Sequence, residues 1–484
     1  MPTSFSLGEA DLALATDLYQ LTMAAAYHAW AADSGEMPRA TFELWVRRLP
    51  AERRFLVFAG LEQALAALRD LSFTYEQIDY LRSLAPFHAV DPAFFDHLAE
   101  LRFQGDVRAM PEGSVFFAGE PVVSLTGTLL EAQLVETLLL NVVNFQTTIA
   151  SKAARVRLAA GDAVKVAEFG TRRAHGPQAG AWAARAAWVG GVDSTSNVLA
   201  GQRAGVPVVG TMAHSFVMAH DDEAAAFRRY QETFPGHTIL LVDTYDTLDG
   251  VRTALATGGP FDGVRLDSGD LGELARETRR LLDDGGRPDA TIFASGDVDE
   301  HRIAELRASG APIDAYGMGT RLATSADAPY LSGVYKLVEV EHAGTTRGAF
   351  KLSSGKVTYP GPKQVIRETA ADGTFGEDLL LRRRDEADHP EASRLLVPVM
   401  EKGVPLDDSP AAPFDAASAR RRCAAQLTLL PDAVRSLDPV DDGEEARRAV
   451  YPVRVDRGLE AYLEEERAEL DDDGGRAEKS EDDA

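Results

Sequence analysis

Long apolar runs are missing from this 484-residue chain, cysteine occurs once, and lysine is confined to eight positions among 50 basic residues. Each shortage removes a class of protein. No window approaches the roughly 18 apolar residues that cross a bilayer, and the N-terminus carries no basic region followed by an apolar stretch, so a cytoplasmic location is expected. Cys423 alone can form neither an intrachain disulfide nor a thiolate metal knuckle; a small buried apolar side chain is expected there. The G-x-G-x-x-G turn that opens a dinucleotide-binding sheet is also absent. Basic charge is itself scarce, 50 residues against 76 acidic ones for a net charge of -26. A surface this acidic excludes nucleic acid or an anionic membrane as the main partner. It suits concentrated salt, where charges are screened within about 3 Å at 1 M, and a halophilic source is expected, with an acidic mesophile as the alternative.

What is present is a globular composition, 45% hydrophobic and 26% charged, in a chain long enough for two or three domains. From Asp162 onward one pattern recurs: a short apolar or β-branched run, a polar cluster, then a helical stretch with charges. "AVKVAEFGT", "GGVDSTSN", "VPVVGT", "TILLVDTYD", "GVRLDSGD", "TIFASGD" and "IDAYGMGT" are seven strand candidates of this kind. Such alternation builds a parallel sheet with covering helices. Before Asp162, "ATFELWVRRL" and "VRAMPEGSVFFAGEPVVSLTGTL" alternate as half-exposed strands do, and a helical stretch from Glu131 to Ala160 leads into the barrel. After Lys336 short strands return in "KLSSGKVTYPGPKQVIR", and "LDDSPAAPFDAASARR" reads as a linker to terminal helices.

Polar groups stand at nearly every strand end: Thr171-Arg172-Arg173, Asp193, Thr211 with His214, Asp243 with Asp246, Asp267 with Asp270, Ser295 with Asp297, and Gly317 to Thr320. In a barrel these ends converge on one mouth, where such folds do their chemistry. "GMGT" after the last strand offers backbone N–H groups and a hydroxyl to a phosphate. "RLDSGD" sets Arg265 beside Asp267 and Asp270, an arrangement that could grip an anion and offer oxygen ligands to Mg²⁺, or form a structural ion pair. Arginines gathered at strand ends of so acidic a chain imply a strongly anionic small ligand. His214, in "VPVVGTMAHSFVMAH", falls where an apolar run stops and a helix begins, and from this alone it reads as a satisfied core or capping side chain.

In this order and at these spacings, "TDLYQLTM", "EFGTRRAHGP", "GTMAHSF", "LLVDTYDTLDG", "VRLDSGDL", "GMGT" and "GVYKLVE" resemble the nicotinate phosphoribosyltransferases, and the similarity runs to about Glu466. The resemblance implies an ATP-dependent enzyme of the ligase class. It would join nicotinate and 5-phosphoribosyl 1-diphosphate to nicotinate mononucleotide and diphosphate in NAD biosynthesis and salvage, with Mg²⁺ as cofactor and ATP as co-substrate. It further implies a homodimer with shared active sites, Tyr19 stacking on the pyridine of the neighbouring subunit. Thr211 and Arg265 would hold nicotinate, Arg172 would face the diphosphate, and Gly317, Gly319 and Thr320 would take the 5-phosphate. Phe169, Ser215, Ser295 and Gly296 would complete the substrate site. Asp267 and Asp270 would be catalytic and would contact Mg²⁺, and His214 would take a phosphoryl group from ATP. One cysteine cannot reproduce the clusters of some relatives, so no zinc is expected.

The expected architecture is an incomplete TIM-like α/β barrel with an α+β N-terminal domain completed by C-terminal segments. Its bounds are 1–145 for the N-terminal domain, 146–335 for the barrel, 336–466 for a segment packing on the N-terminal domain, and 467–484 for a disordered acidic tail. Two other readings stay open. One is a nicotinamide or quinolinate phosphoribosyltransferase; the other is a catalytically silent binder that keeps the barrel.

Overall fold

The computed structural model describes Gly8 and residues 11–351, 358–389, 393–439 and 450–481, with side chains as far as residue 470. It divides into two compact units, Met1–Phe145 with Leu331–Val434 and Val440–Ala484, and Gln146–Tyr330 with Arg435–Pro439.

The first unit is built on antiparallel sheets. Its strands are β1 (Arg39–Val46), β2 (Leu56–Val57), β3 (Asp106–Ala109), β4 (Val115–Phe116) and β5 (Pro121–Thr128). Far downstream come β12 (Gly333–His342), β13 (Thr345–Gly348), β14 (Lys363–Thr369), β15 (Phe375–Arg382), β16 (Ser393–Arg394), β17 (Val397–Glu401), β18 (Val404–Pro405) and β19 (Val453–Val455). The largest sheet interleaves early and late strands in the order β13-β12-β1-β5-β3-β17-β18. Central β1 pairs with β12 from Arg39↔Glu341 to Val46↔Gly333. Its alternation places Phe42 and Leu44 in the core, where Phe42 stacks on Tyr335 with centroids 4.9 Å apart. Burying each such side chain contributes about 1.5–3 kcal/mol. Charges taken inside are paired. Lys363 Nζ sits 2.8 Å from Glu43 Oε2, and Arg367 forks onto both oxygens of Asp378 at 2.8 and 2.5 Å.

In the second unit six parallel strands form a curled half-barrel in the order β7-β6-β11-β10-β9-β8. These are β6 (Lys165–Glu168), β7 (Ser194–Thr195), β8 (Ile239–Leu241), β9 (Gly263–Leu266), β10 (Thr291–Ala294) and β11 (Ala315–Met318). Most of their apolar residues are buried, among them Val166, Leu240, Leu241, Val264, Leu266, Ile292 and Tyr316, as sheets covered by helices require. The seventh expected strand, "VPVVGT", forms only an isolated bridge between Thr195 and Val208. Pro207 lacks an N–H to donate, and Val208 and Val209 are 49% and 40% exposed, so this apolar run is not the buried strand its composition suggests.

Other departures have similar local causes. The helical stretch expected from Glu131 breaks at Val135 into Leu129–Leu134, opened by a Thr128/Glu131 capping box, and Glu136–Ala160. Arg435–Pro439, expected with the N-terminal domain, belongs to the barrel unit, where Arg155 Nη2 donates to the Leu437 carbonyl at 3.0 Å. Arg155 and Lys152 both hold the buried Glu300 carboxylate. Residues 467–481, expected in a disordered tail, continue the helix Arg457–Glu481, and 482–484 lie outside the described residues. Glu, Ala, Leu and Arg favour helix there, and Arg467 pairs with Glu464 one turn back. Residues 352–357 of the expected "KLSSGKVTYP" strand region also lie outside the described residues. Among the described residues no helix is long and apolar enough to cross a membrane.

Candidate active site

The strand ends of the half-barrel line one cavity of about 430 Å³. Phe169, Arg172 and Arg173 reach it from the loop after β6, Thr211 from the run before the His214 helix, and Arg265 and Asp267 from β9 and its loop. Ser295, Gly296 and Asp297 follow β10; Gly317, Gly319 and Thr320 close β11. Parallel register brings these ends level, since Met318 pairs with Glu168 and Leu266 with Ala294.

Arg265 organises the centre. Its Nη1 donates to Thr211 Oγ1 at 2.7 Å and to the Met212 carbonyl at 3.3 Å, and Nη2 donates to Asp267 Oδ1 at 3.4 Å. Asp267 Oδ1 also accepts from Ser295 Oγ at 2.5 Å. Burial opposes ionisation of Asp267, but the Ser295 hydroxyl, the Arg265 guanidinium and His214 outweigh it and hold the carboxyl below its ordinary value. Asp267 therefore carries its charge at neutral pH.

His214 opens the helix His214–Met218. Its Nδ1 meets Thr244 Oγ1 at 3.2 Å and its Nε2 lies 3.9 Å from Asp267 Oδ2. Asp243, beside Thr244, steadies the β9 loop by accepting from Asp267 N at 2.9 Å and Ser268 Oγ at 2.7 Å.

Two glycines permit close approaches that a side chain would block. A Cβ on Gly296 (φ 86°) would enter the Asp267 carbonyl, and Asp297 beside it is also left-handed (φ 43°). At Gly317 a Cβ would strike Phe293 and Phe169, whose rings stack 5.5 Å apart. Below the loop after β6, buried Glu168 accepts from Gly170 N and from Thr195 Oγ1, fixing that turn. Burial raises its carboxyl above the ordinary value, a shift only partly offset by those two donors.

Not every expected residue faces the cavity. Asp270 caps the helix Leu271–Asp284, its Oδ1 accepting from Gly272 N and Glu273 N at 3.0 and 3.2 Å. Asp246 caps Thr247–Ala256 in the same way. Asp193, expected at a strand end, precedes β7 and is tied to Arg157 and Val166 N. Neither His214 nor Ser215 is a lining residue: Ser215 is exposed on its helix, and His214 stands behind the cavity wall, next to it through Asp267. Tyr19, 48% exposed in the first turn of Leu18–Ser34, belongs to the first unit. Thr244 and Glu168 were not singled out from the sequence, although both sit inside quoted motifs.

The cation-rich side of the cavity is Arg172 and Arg173, exposed and without a side-chain hydrogen bond or ion pair among the described residues. Together with the glycine turn at 317–320, which lines the same cavity as the Arg265–Asp267 pair, they offer donors to an anion. For a metal, the described residues hold no group of three or more His, Cys, Asp or Glu side chains able to bind one.

Comparison with known proteins gives this arrangement a context. The model of the nicotinate phosphoribosyltransferase (NAPRTase) N-terminal domain matches residues 14–144, and that of the quinolinate phosphoribosyl transferase C-terminal domain matches residues 149–328. A nicotinate phosphoribosyltransferase of Mycobacterium tuberculosis is 44% identical over 92% of this chain and 91% of its own. That of Bacillus subtilis is 46% identical over 74% and 73%. Among solved structures, human nicotinic acid phosphoribosyltransferase superposes with a TM-score of 0.78 at 30% identity, covering 93% of this chain and 99% of its own. A nicotinate-nucleotide pyrophosphorylase from Pyrococcus furiosus shares the fold, with a TM-score of 0.68 at 24% identity over 88% and 98%.

Proposed function

This chain belongs to the nicotinate phosphoribosyltransferase family, and from that premise we propose how the half-barrel mouth performs the reaction. It is an enzyme of NAD biosynthesis, and its substrates are nicotinate and 5-phosphoribosyl 1-diphosphate. The observation that carries the reading is the convergence of Arg265, Thr211 and Asp267 with the 317–320 turn and Arg172 on one cavity. Arg265 and Thr211 hold the single carboxylate of nicotinate, which favours it over a neutral amide. The turn at Gly317, Gly319 and Thr320 takes the 5-phosphate, and Arg172 takes the diphosphate. Phe169 and Gly296 shape the walls, and Ser295 orients Asp267.

The pyridine nitrogen is unprotonated near neutral pH and needs no side-chain base. It forms a bond to ribose C1 while the C1–O bond breaks and its electron pair leaves with diphosphate. Ionised Asp267 supports the positive charge that develops on the ribosyl group. Mg²⁺ would neutralise the leaving diphosphate. The absence of a protein cage among the described residues fits an ion carried mainly on substrate phosphates, with Asp267 Oδ2 as the available carboxylate oxygen. Asp270 is committed to its helix cap and has no such role in this reading.

His214 couples the reaction to ATP. Thr244 occupies Nδ1 and leaves Nε2 to take the γ-phosphoryl group, forming an N–P bond as ADP departs. The added charge of up to about two units draws Arg172 and Arg173 inward; hydrolysis to inorganic phosphate then releases products. Two copies share their sites, Tyr19 of one covering the pyridine in the other.

The test measures nicotinate mononucleotide and diphosphate release in high salt, which the acidic composition favours, with nicotinate, nicotinamide and quinolinate in parallel and with and without ATP. Selective use of nicotinate, rising with ATP as ADP forms, supports the whole reading. Product indifferent to ATP removes the role of His214; binding without turnover of any pyridine restores the silent binder.

A further inference from the structure

The first unit contains a second cationic cavity, of about 450 Å³, that the catalytic reading does not use. It lies where the buried leucines of β15 give way to "RRRDE", and its wall includes Arg108, Arg382, Arg383 and Arg384 with the carboxylates of Glu339 and Glu386, and Tyr462 beside them. Three consecutive arginines repel one another unless anions are supplied. Asp385 serves two of them, accepting from Arg382 Nε at 2.6 Å and lying 3.8 Å from Arg384 Nε. Both guanidiniums also lie over the Tyr462 ring, each 5.5 Å from its centroid, which fixes their planes. Arg383 is different. Its side chain makes no hydrogen bond or ion pair within 4 Å among the described residues, and its charge is met only at longer range by the Glu339 carboxylate on the same wall.

Arg108 on the same cavity is also under-served. Its Nη2 donates to the Leu396 carbonyl at 3.0 Å and reaches Glu386 only at 3.5 Å, because Glu386 accepts more closely from Gln364 Nε2 at 2.8 Å. The buried Arg108 Nε has no partner. Burial disfavours the charge on Arg108, Glu386 offsets part of that cost, and Arg383 and Arg394 add to it. Arg108, Arg382, Arg383 and Arg384 thus outnumber the carboxylates of Glu339, Asp385 and Glu386 around the cavity, and a desolvated guanidinium near a second one without a direct hydrogen bond is an arrangement that a bound anion relieves.

We propose that this cavity binds a phosphorylated small molecule, its phosphate gripped between Arg383 and Arg108. Planar guanidinium forks match phosphate oxygens bidentately, and a cavity of this volume admits a nucleotide-sized ligand. The Tyr462 stacks hold the flanking arginines in place and lower the ordering cost of binding. The site is separate from the transfer chemistry in its residues and stands whatever the role of His214.

The experiment is calorimetric titration of the full chain with inorganic tripolyphosphate at one fixed salt concentration, for the wild type, Arg383→Ala and Arg383→Lys. Expected are two classes of site in the wild type and the loss of one in Arg383→Ala, weakened about tenfold or more, with partial recovery in Arg383→Lys. Turnover at the other site should be unchanged, and removing a side chain without bonds should leave the melting curve in place. Superimposable isotherms for all three proteins, or loss of both classes together, would overturn the proposal. A nucleoside monophosphate that displaces tripolyphosphate from the Arg383-dependent class supports a nucleotide as the ligand; failure of both a nucleoside monophosphate and ribose 5-phosphate to displace it would overturn the small-molecule assignment.

Discussion

His214 and Asp267 face one another at the barrel mouth, Nε2 3.9 Å from Oδ2, while Thr244 holds the opposite ring nitrogen. The imidazole is thus oriented from both sides yet 41% of its side chain remains exposed, open to a phosphoryl donor.

From this it follows that His214→Ala retains basal nicotinate mononucleotide formation but loses its stimulation by ATP and all ATP-derived label on the protein. Steady-state assay with and without ATP, beside acid-labile phosphate analysis, checks both. Full ATP stimulation in the variant would defeat the assignment.

Arg265→Ala removes the group that joins Thr211 to Asp267. A drop of about 100-fold in kcat/KM for nicotinate is expected, about 2.7 kcal/mol, the range for hydrogen bonds to a charged partner. If Arg265 holds the carboxylate, the variant's preference for nicotinate over nicotinamide falls as well. Unaltered selectivity would restrict it to orienting Asp267.

Gly296→Ala tests the close approach of the β10 loop to the Asp267 carbonyl. A Cβ at φ 86° has no room there, so the loop must shift, at about 1–3 kcal/mol. Lower kcat together with a lower melting temperature is the expected pair of changes, whereas wild-type turnover would mean that the loop yields without disturbing Asp267.

Glu223 titrates near neutrality. Burial, then the Asp243, Asp246 and Asp249 carboxylates, push it up from 4.5 to about 7. The folded protein keeps a proton that the unfolded chain releases, so this contribution is complete below about 4.5 and is lost as pH rises through about 7. Glu223→Gln should flatten the decline in melting temperature across that window. A slope identical to the wild type would exclude the shift.

Sharing of sites between copies is tested by mixing Tyr19→Ala with His214→Ala subunits after partial unfolding and reassociation. Random pairing restores about a quarter of the intact ATP-stimulated sites if Tyr19 acts across the interface. No recovery is expected if both residues serve the same chain's site.

The sequence displayed the half-barrel plainly because parallel strands covered by helices leave short, largely apolar runs, as in "ILLV", "GVRL" and "TIFA", where Arg265 is the one charged interruption and turns into the site. "VPVVG" has the same look but lies at the open edge, where Pro207 and exposure prevent a ladder. Carboxylates divided less clearly. Asp267 enters the cavity whereas Asp270, three residues later, caps a helix; the Asp270/Glu273 spacing, typical of a helix start, was the available signal. Asp193 gave no comparable sign, because its partner Arg157 lies 36 positions away. Thr244 was equally hidden, since its contact with His214 spans 30 positions and follows no periodicity.

The pairing of β1 with β12 has a further consequence during synthesis. Arg39 meets Glu341, a partner 302 positions later, after the entire half-barrel has been translated. At 5–20 residues per second the nascent β1 edge waits roughly 15–60 s for its neighbour. The half-barrel, contiguous except for Arg435–Pro439, can assemble during that interval. An apolar edge left open for so long is a natural client for a ribosome-associated chaperone, and the speed of elongation through the barrel sets how long that protection is needed.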